Sequence, residues 1–365
     1  MIRILHVITS LEIGGAEKLM VDLIPRLKSP EIEVDLLVFN PTRTIFTEQL
    51  EEQGIKVMTL SNSANVYNPL NIFRLIPIIR QFDIIHTHNT ACQLFVPIAK
   101  VLSFAKCKLV TTEHNTTNRR RNKKYLKLLD QWMYSKYLAV IGVSEKATDN
   151  LKKYLGNKIN SINITTIANG IDFVLFNNAK SKDLHSELGL SSDSKLITMV
   201  SRFDKQKDQQ TLIKSAKYLP DNNHILLVGE GNYEQKQSCI ELVQSLSLFN
   251  RIHFLGIRHD IPQILKGSNL IVLSSHYEGL SLSSIEAMAS GRPFVASDVP
   301  GLREVVSGAG ILFPDGNSQK LAEILNKLLS DKVYYISVVN SCVNKAKEFD
   351  ISETVKKYLK SYCEL

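Results

Sequence analysis

Short apolar runs rich in Val, Ile and Leu alternate along the whole chain with longer stretches in which apolar positions recur every three or four residues. The first pattern is that of a strand buried on both faces, the second that of a helix covering one of those faces. Strands are predicted over residues 3–9, 34–39, 56–60, 83–88, 109–112 and 139–143 in the first half, and over 196–201, 225–229, 252–255, 270–274, 294–296 and 311–313 in the second. Strand and helix taking turns in this way build parallel sheets with crossover helices, here two doubly wound sheets in tandem. Helical periodicity lapses in the polar stretch 177–182, which sets the expected join between a first domain, 1–176, and a second, 177–350. The halves agree in pattern and not in letters. Open parallel sheets take ligands beyond the carboxyl ends of their strands, so functional residues are expected just after strands, in a cleft between two sets of loops.

Composition narrows the classes. A chain of 365 residues that is 44% hydrophobic and 22% charged can bury a core without staples, which excludes disordered, collagen-like and disulfide-scaffold proteins. The five cysteines (Cys92, Cys107, Cys239, Cys342, Cys363) are scattered and never spaced C-x-x-C, pointing to a reducing, cytoplasmic setting. No apolar run is long enough for a spanning helix, and Met1-Ile2-Arg3 leads straight into a strand, so a soluble or at most membrane-surface protein is expected.

The net charge of +8 is unevenly placed: residues 1–170 carry 22 Lys and Arg against 14 Asp and Glu, and the remainder is balanced. The densest run is Arg119, Arg120, Arg121, Lys123, Lys124 and Lys127. Such a run suits an anionic partner, namely phospholipid headgroups, a lipid-linked phosphate or nucleic acid, and equally suits a solvated helix start. Aromatic residues are not interleaved with it and no nucleic-acid module is present, which disfavours nucleic acid.

Four places carry candidate chemistry. Gly14-Gly15-Ala16-Glu17 joins a strand to a helix, where glycines allow close backbone approach and the helix start offers unpaired N–H groups to phosphate; a plain turn fits as well. The spacing is neither a G-x-G-x-x-G fingerprint nor a Walker loop, against dehydrogenase and NTPase readings. His86 and His88 share a strand face and His114 ends another strand, but the sequence supplies no further ligands at metal spacing, so zinc is not expected. His114 suits a neutral hydrogen-bond donor, or a simple loop histidine.

In the second half, Arg202 and Lys207 sit on a loop after a buried strand, with Asp208 placed to cap the next helix; two fixed cations there suit a departing diphosphate. Gly229 and Gly256 follow strands at the same edge, consistent with a turn or with close contact to a flat nucleobase. The segment from His276 to Pro293 is the most specific. Glu278 lies in a glycine turn, the amides of Gly279, Leu280 and Ser281 precede a helix, and Glu286 falls among Ile285, Ala287 and Met288 on that helix. A carboxylate in that setting needs a partner such as a vicinal diol. The two glutamates are too far apart along a helix, about 10 Å or more, for a hydrolytic glycosidase pair.

Taken together, Glu278-x7-Glu286 with its trailing Glu-Ala-Met-Ala-Ser-Gly-x-Pro, Gly14-Gly15-Ala16-Glu17, Asn169-Gly170-Ile171-Asp172, Arg202 with Lys207, and Gly229-Glu230-Gly231 resemble the retaining glycosyltransferases of family four, over nearly the whole chain and in the same order. The resemblance implies the GT-B fold, two Rossmann-like domains facing a cleft. The first would bind the acceptor and the second a nucleoside-diphosphate sugar, with UDP favoured, and a last helix within 351–365 would pack back on the first domain. It implies roles as well. Arg202 and Lys207 would hold the diphosphate with Gly14 and Gly15 opposite, Glu286 the ribose, Glu278 and Gly279 to Ser281 the sugar, Gly229, Gly256 and Ile257 the base side, and His114 the reacting face of the sugar. Neither a metal nor a cofactor is implied. The acceptor would be a glycan or lipid-linked sugar at the inner face of the plasma membrane, approached through the basic run 119–127. A nucleotide-sugar 2-epimerase of the same fold is the alternative.

Overall fold

The computed structural model describes residues 1–12, 14–114, 121, 125–156 and 162–365. It divides into two compact units, one of 1–170 with 351–365 and one of 171–350. In the first unit the strands are β1 (Ile2–Ile8), β2 (Ile32–Val38), β3 (Val57–Thr59), β4 (Ile84–His88), β5 (Lys108–Glu113), β6 (Ala139–Gly142) and β7 (Asn163–Thr166). They form one parallel sheet in the order β3-β2-β1-β4-β5-β6-β7. The second unit holds β8 (Lys195–Val200), β9 (Asn223–Val228), β10 (Ile252–Gly256), β11 (Leu270–Leu273), β12 (Phe294–Ser297) and β13 (Ile311–Phe313), parallel throughout in the order β10-β9-β8-β11-β12-β13.

Each sheet reverses its winding once, between β1 and β4 in the first unit and between β8 and β11 in the second. At such a reversal the loops leaving the two neighbouring strands part to opposite faces, which opens a crevice at their carboxyl ends. The sequence motifs fall on these loops: Gly14 and Gly15 follow β1, Arg202 and Lys207 follow β8, and Glu278 follows β11.

Two features depart from the sequence reading. β7 was not anticipated, because Asn163-Ile164-Thr165-Thr166 is an edge strand with no fully buried position and so lacks an apolar run. The chain passes from one unit to the other at Gly170–Ile171, ahead of the expected 176/177 join. The helix Phe173–Asn177 buries Phe176 in the second unit's core, so periodicity lapses only after it.

The last helix, Ile351–Cys363, belongs to the first unit. It buries Ile351, Thr354, Val355, Tyr358 and Tyr362, sharing a core with the helix Gly15–Leu27. Gly170 allows this return, since a Cβ there would lie 2.7 Å from the Ile351 Cα.

Candidate functional site

In the second unit the loop after β8 is held rigidly. Gln209 donates through Nε2 to the Ser201 hydroxyl (3.1 Å) and the Arg202 carbonyl (2.9 Å), and Asp208 caps the helix Gln209–Ser215 by accepting from the Thr211 amide at 3.1 Å. Gly229 has φ +132, and a Cβ on it would lie 2.3 Å from the Ser201 carbonyl oxygen. A Cβ on Gly231 would likewise lie 2.3 Å from the Phe203 oxygen. Both glycines are therefore required by the crossing of two backbone loops. Gly256 (φ +63) receives the Gly229 amide on its carbonyl at 2.8 Å, and Ile257 beside it is half exposed.

The structure brings Lys207 and Glu278 into a direct ion pair with side chains only 13% and 7% exposed. The carboxylate also accepts from the Ser275 hydroxyl (2.8 Å, to Oε1) and from Gln206 Nε2 (3.0 Å, to Oε2). Gln206 and Ser275 escaped the sequence reading because neither belongs to a charged motif; only their places after β8 and β11 marked them. Arg202, five residues from Lys207 on the same loop, is exposed.

Past Glu278 the chain turns on Gly279, beside which an added Cβ would have no neighbour within 4 Å. The amides of Gly279, Leu280 and Ser281 donate to no described residue. The helix Leu282–Ala289 that follows has no side-chain cap on its N-terminal residue, Ser281, and carries half-buried Glu286. Gly301, also missed, holds the turn from behind: at φ +91, its Cβ position lies 2.3 Å from the Glu278 carbonyl oxygen and 2.4 Å from that of Gly279. A cation, a carboxylate and a row of unengaged amides on one sheet edge can hold an anion and hydroxyl groups side by side.

In the first unit, Gly14 is the N-terminal cap residue of the helix Gly15–Leu27, without a side-chain cap. Across the switch point, Asn89 adopts φ +73, a strained value for a residue other than glycine, and donates to the Thr9 hydroxyl at 2.8 Å. His114 directly follows β5 and shares a 3.0 Å hydrogen bond through Nε2 with His88 Nδ1. Burial lowers its pKa to about 4, so the ring is neutral near pH 7.

His86 and His88 do share a strand face, with centroids 4.5 Å apart, and His6 from β1 stacks on both. Their ligating atoms lie within 4.8 Å of one another, so the third histidine that the sequence did not reveal is present. All six ring nitrogens of the three nevertheless have protein partners: one another, Tyr362, Thr112 and His114. Asp208, His276 and Asp315 form a second such group, in which Asp208 serves as the helix cap and His276 Nδ1 pairs with Asp315 at 3.1 Å.

Of the basic run, Arg119, Arg120, Lys123 and Lys124 lie outside the described residues. Arg121 corrects the expectation of an outward cation. It pairs with Glu113 at 3.1 Å, the two side chains 11% and 4% exposed, and its guanidinium lies over the Tyr154 ring. Glu113 also accepts from the Tyr134 hydroxyl at 2.6 Å, and desolvation raises its pKa against the pull of Arg121. Lys127 is exposed as expected.

Two parallel α/β units, each with its motif loops at the carboxyl edge of a winding reversal, define a glycosyltransferase of the GT-B fold. Residues 13–174 match the model of Glycosyltransferase Family 4, and residues 180–349 that of Glycosyl transferases group 1. The chain belongs to glycosyltransferase family four.

Among its relatives is the UDP-Gal:alpha-D-GlcNAc-diphosphoundecaprenol alpha-1,3-galactosyltransferase of Escherichia coli, 27% identical over 100% of this chain and 97% of that one. Another is the N,N'-diacetylbacillosaminyl-diphospho-undecaprenol alpha-1,3-N-acetylgalactosaminyltransferase of Campylobacter jejuni, 26% identical over 93% of each. HepE of Anabaena, solved with UDP and glucose, shares the fold with a TM-score of 0.86 and 23% identity over the full length of both chains. Among the described residues no helix is long and apolar enough to cross a membrane.

Proposed function

We propose that this glycosyltransferase moves a hexose from a UDP-sugar to a lipid-linked diphosphate sugar, with retention of anomeric configuration and without a metal ion. The observation that carries the reading is the Lys207–Glu278 pair beside the unengaged amides of Gly279 to Ser281. The relatives' undecaprenol-diphosphate acceptors and the UDP bound by HepE support the choice of substrates.

In this reading Arg202 and Lys207 neutralise the diphosphate, with the Gly14–Gly15 helix start as a further donor, and Glu286 accepts from the ribose hydroxyls. Glu278 and the amides of Gly279 to Ser281 hold the sugar, while Gly229, Gly256 and Ile257 border the base. Glycosyl transfer builds positive charge on the ring and negative charge on the leaving phosphate, so fixed cations at the latter favour the transition state over the ground state. Glu278 is already saturated by Lys207, Ser275 and Gln206, which suits an orienting role better than that of a nucleophile. The leaving phosphate then serves as the base for same-face attack by the acceptor hydroxyl.

Docking on an anionic bilayer completes the proposal. Tyr125, Leu128, Leu129 and Trp132, at helical spacing on and before the helix Leu126–Tyr134, are all exposed, and the basic run 119–127 overlaps the start of this stretch. An apolar stripe with aromatic members beside cations fits an interfacial helix. The deciding experiment incubates UDP-sugars with a polyprenyl-diphosphate sugar acceptor and reads the product anomer by NMR. An α-linked product from an α-configured donor, abolished by Glu286→Ala, is expected; absence of transfer from every UDP-sugar overturns the proposal. Flotation with anionic vesicles should fall in Leu128→Glu.

A further inference from the structure

The loop leaving β3 and the helix Leu70–Ile79 that follows it frame an open cavity of about 500 Å³, lined by Leu60, Ser61, Asn62, Ser63 and Arg74. It lies at the carboxyl edge of the first sheet, and none of the site residues described above lines it. The loop is held by its own side chains. The Ser61 hydroxyl accepts from the Ser63 amide at 3.0 Å, and the Asn65 side-chain oxygen from the Tyr67 amide at 3.1 Å.

Arg74 is the cation of this cavity, and it is oriented without being neutralised. Its Nη1 donates to the Ser61 hydroxyl at 2.8 Å and to the Asn71 side-chain oxygen at 3.1 Å, both on buried, uncharged residues. Nε and Nη2 have no partner among the described residues. Elsewhere in the first unit Arg3, Arg43 and Arg121 each meet a carboxylate. The sequence around Arg74 offers none, since no Asp or Glu stands between Glu52 and Asp83. Ser61 adds a second donor. A hydroxyl has two lone pairs and one proton, and with Arg74 and the Ser63 amide on the lone pairs, the O–H remains for a ligand. A fixed guanidinium edge beside a spare hydroxyl donor suits phosphate oxygens.

Next to the cavity, Tyr67, Leu70 and Phe73 are 57%, 55% and 63% exposed. Leu70 and Arg74 are one helical turn apart and Phe73 adjoins Arg74, opposite the side that buries Asn71, Leu75 and Ile79. One ligand meets both sets of side chains if it carries phosphate at one end and hydrocarbon at the other. We infer that this cavity holds the diphosphate of the lipid-linked acceptor, with Arg74 and Ser61 on its oxygens and Tyr67, Leu70 and Phe73 along the first part of its hydrocarbon chain. The inference rests on the reading of the acceptor as a lipid-linked diphosphate sugar, and it assigns the carrier end of that acceptor to groups the donor site does not use.

Titration calorimetry on the full-length protein tests it, with farnesyl diphosphate and inorganic diphosphate as probes. Farnesyl diphosphate should bind equally with and without UDP. Arg74→Met should weaken it about 10- to 100-fold, the loss of one charge-assisted hydrogen bond. Phe73→Ser should weaken it about three- to tenfold and leave inorganic diphosphate unchanged. Both variants should keep UDP affinity within about twofold, which shows that the fold is intact. No binding of farnesyl diphosphate, its displacement by UDP, or an unchanged affinity in Arg74→Met overturns the inference. Flotation with phosphatidylglycerol vesicles separates a bilayer headgroup from the carrier: Arg74→Met should float as the wild type does. A loss of flotation with farnesyl diphosphate binding intact would give the cavity to the bilayer and overturn the inference too. In the transfer assay Arg74→Met should raise KM for the polyprenyl-diphosphate sugar with kcat preserved. Absence of transfer from every UDP-sugar overturns the acceptor reading alone, since the binding result stands without turnover.

Discussion

The Lys207–Glu278 pair can be weighed directly. With side chains 13% and 7% exposed it lies between a surface pair and a sealed one, and its members are unequally supported. Glu278 keeps two neutral donors, Ser275 and Gln206, when Lys207 is removed, whereas the Lys207 ammonium has the Glu278 carboxylate as its recorded side-chain partner. Lys207→Met should therefore cost about 1.5 kcal/mol and Glu278→Gln about 3 kcal/mol, the larger loss falling where a buried charge is left without its counter-charge. In the double variant neither charge remains, so the combined loss should fall short of the sum by about 2 kcal/mol.

Urea unfolding of the four proteins, followed by far-ultraviolet circular dichroism, gives that coupling. Titration of UDP gives the functional counterpart: Lys207→Met should weaken binding about 10- to 100-fold through loss of a charge-assisted phosphate contact, while Glu278→Gln, which frees the ammonium, should bind UDP at least as well as the wild type. Additivity within about 0.5 kcal/mol would show an ordinary surface pair and refute the structural argument. UDP binding lost equally in both single variants would refute the division of roles between diphosphate and sugar.

The histidine chain makes the first unit acid-sensitive. Burial lowers the pKa of His6 to about 3 and of His114 to about 4, and lowers His86 and His88 as well, so these rings stay neutral when folded and take up protons only on unfolding. Stability should be constant above the unfolded value of about 6.5 and fall below it, by about 1.4 kcal/mol per pH unit for each ring, until the folded values are reached. Trp132, the single tryptophan, lies in the first unit and reports it by fluorescence; a flat profile from pH 7 to 5 would contradict this. Gly301→Ala places a side chain at φ +91 against two carbonyl oxygens, so it should cost about 1–2 kcal/mol and weaken UDP-sugar more than UDP by titration calorimetry. Arg121→Met strands the Glu113 carboxylate and should lower stability by about 3 kcal/mol in urea unfolding while leaving vesicle flotation unchanged.

What the sequence makes legible and what it hides follow from one property of parallel sheets. A strand and the loop leaving it are contiguous in the chain, so the apolar runs reveal the strands, and the residues just past them, Arg202, Lys207 and Glu278, stand where a ligand edge must be. Neighbours across a sheet come from distant crossovers, and no local pattern records them. His86 and His88 are visible as a pair because they sit two apart on β4, whereas His6, His114 and Tyr362 reach them from β1, the end of β5 and a helix at the far end of the chain. The same holds for glycines. Gly229 reads only as a turn or a close-contact position and Gly301 was missed, because their requirement comes from the Ser201 and Glu278 carbonyls, which approach from other crossovers. Arg121 shows the converse error, since a cation within a basic run reads as surface until Glu113 and the Tyr154 ring are seen around it. Charge and position after a strand thus locate the donor edge, but whether a given ion faces ligand or core depends on which strand the winding order sets beside it.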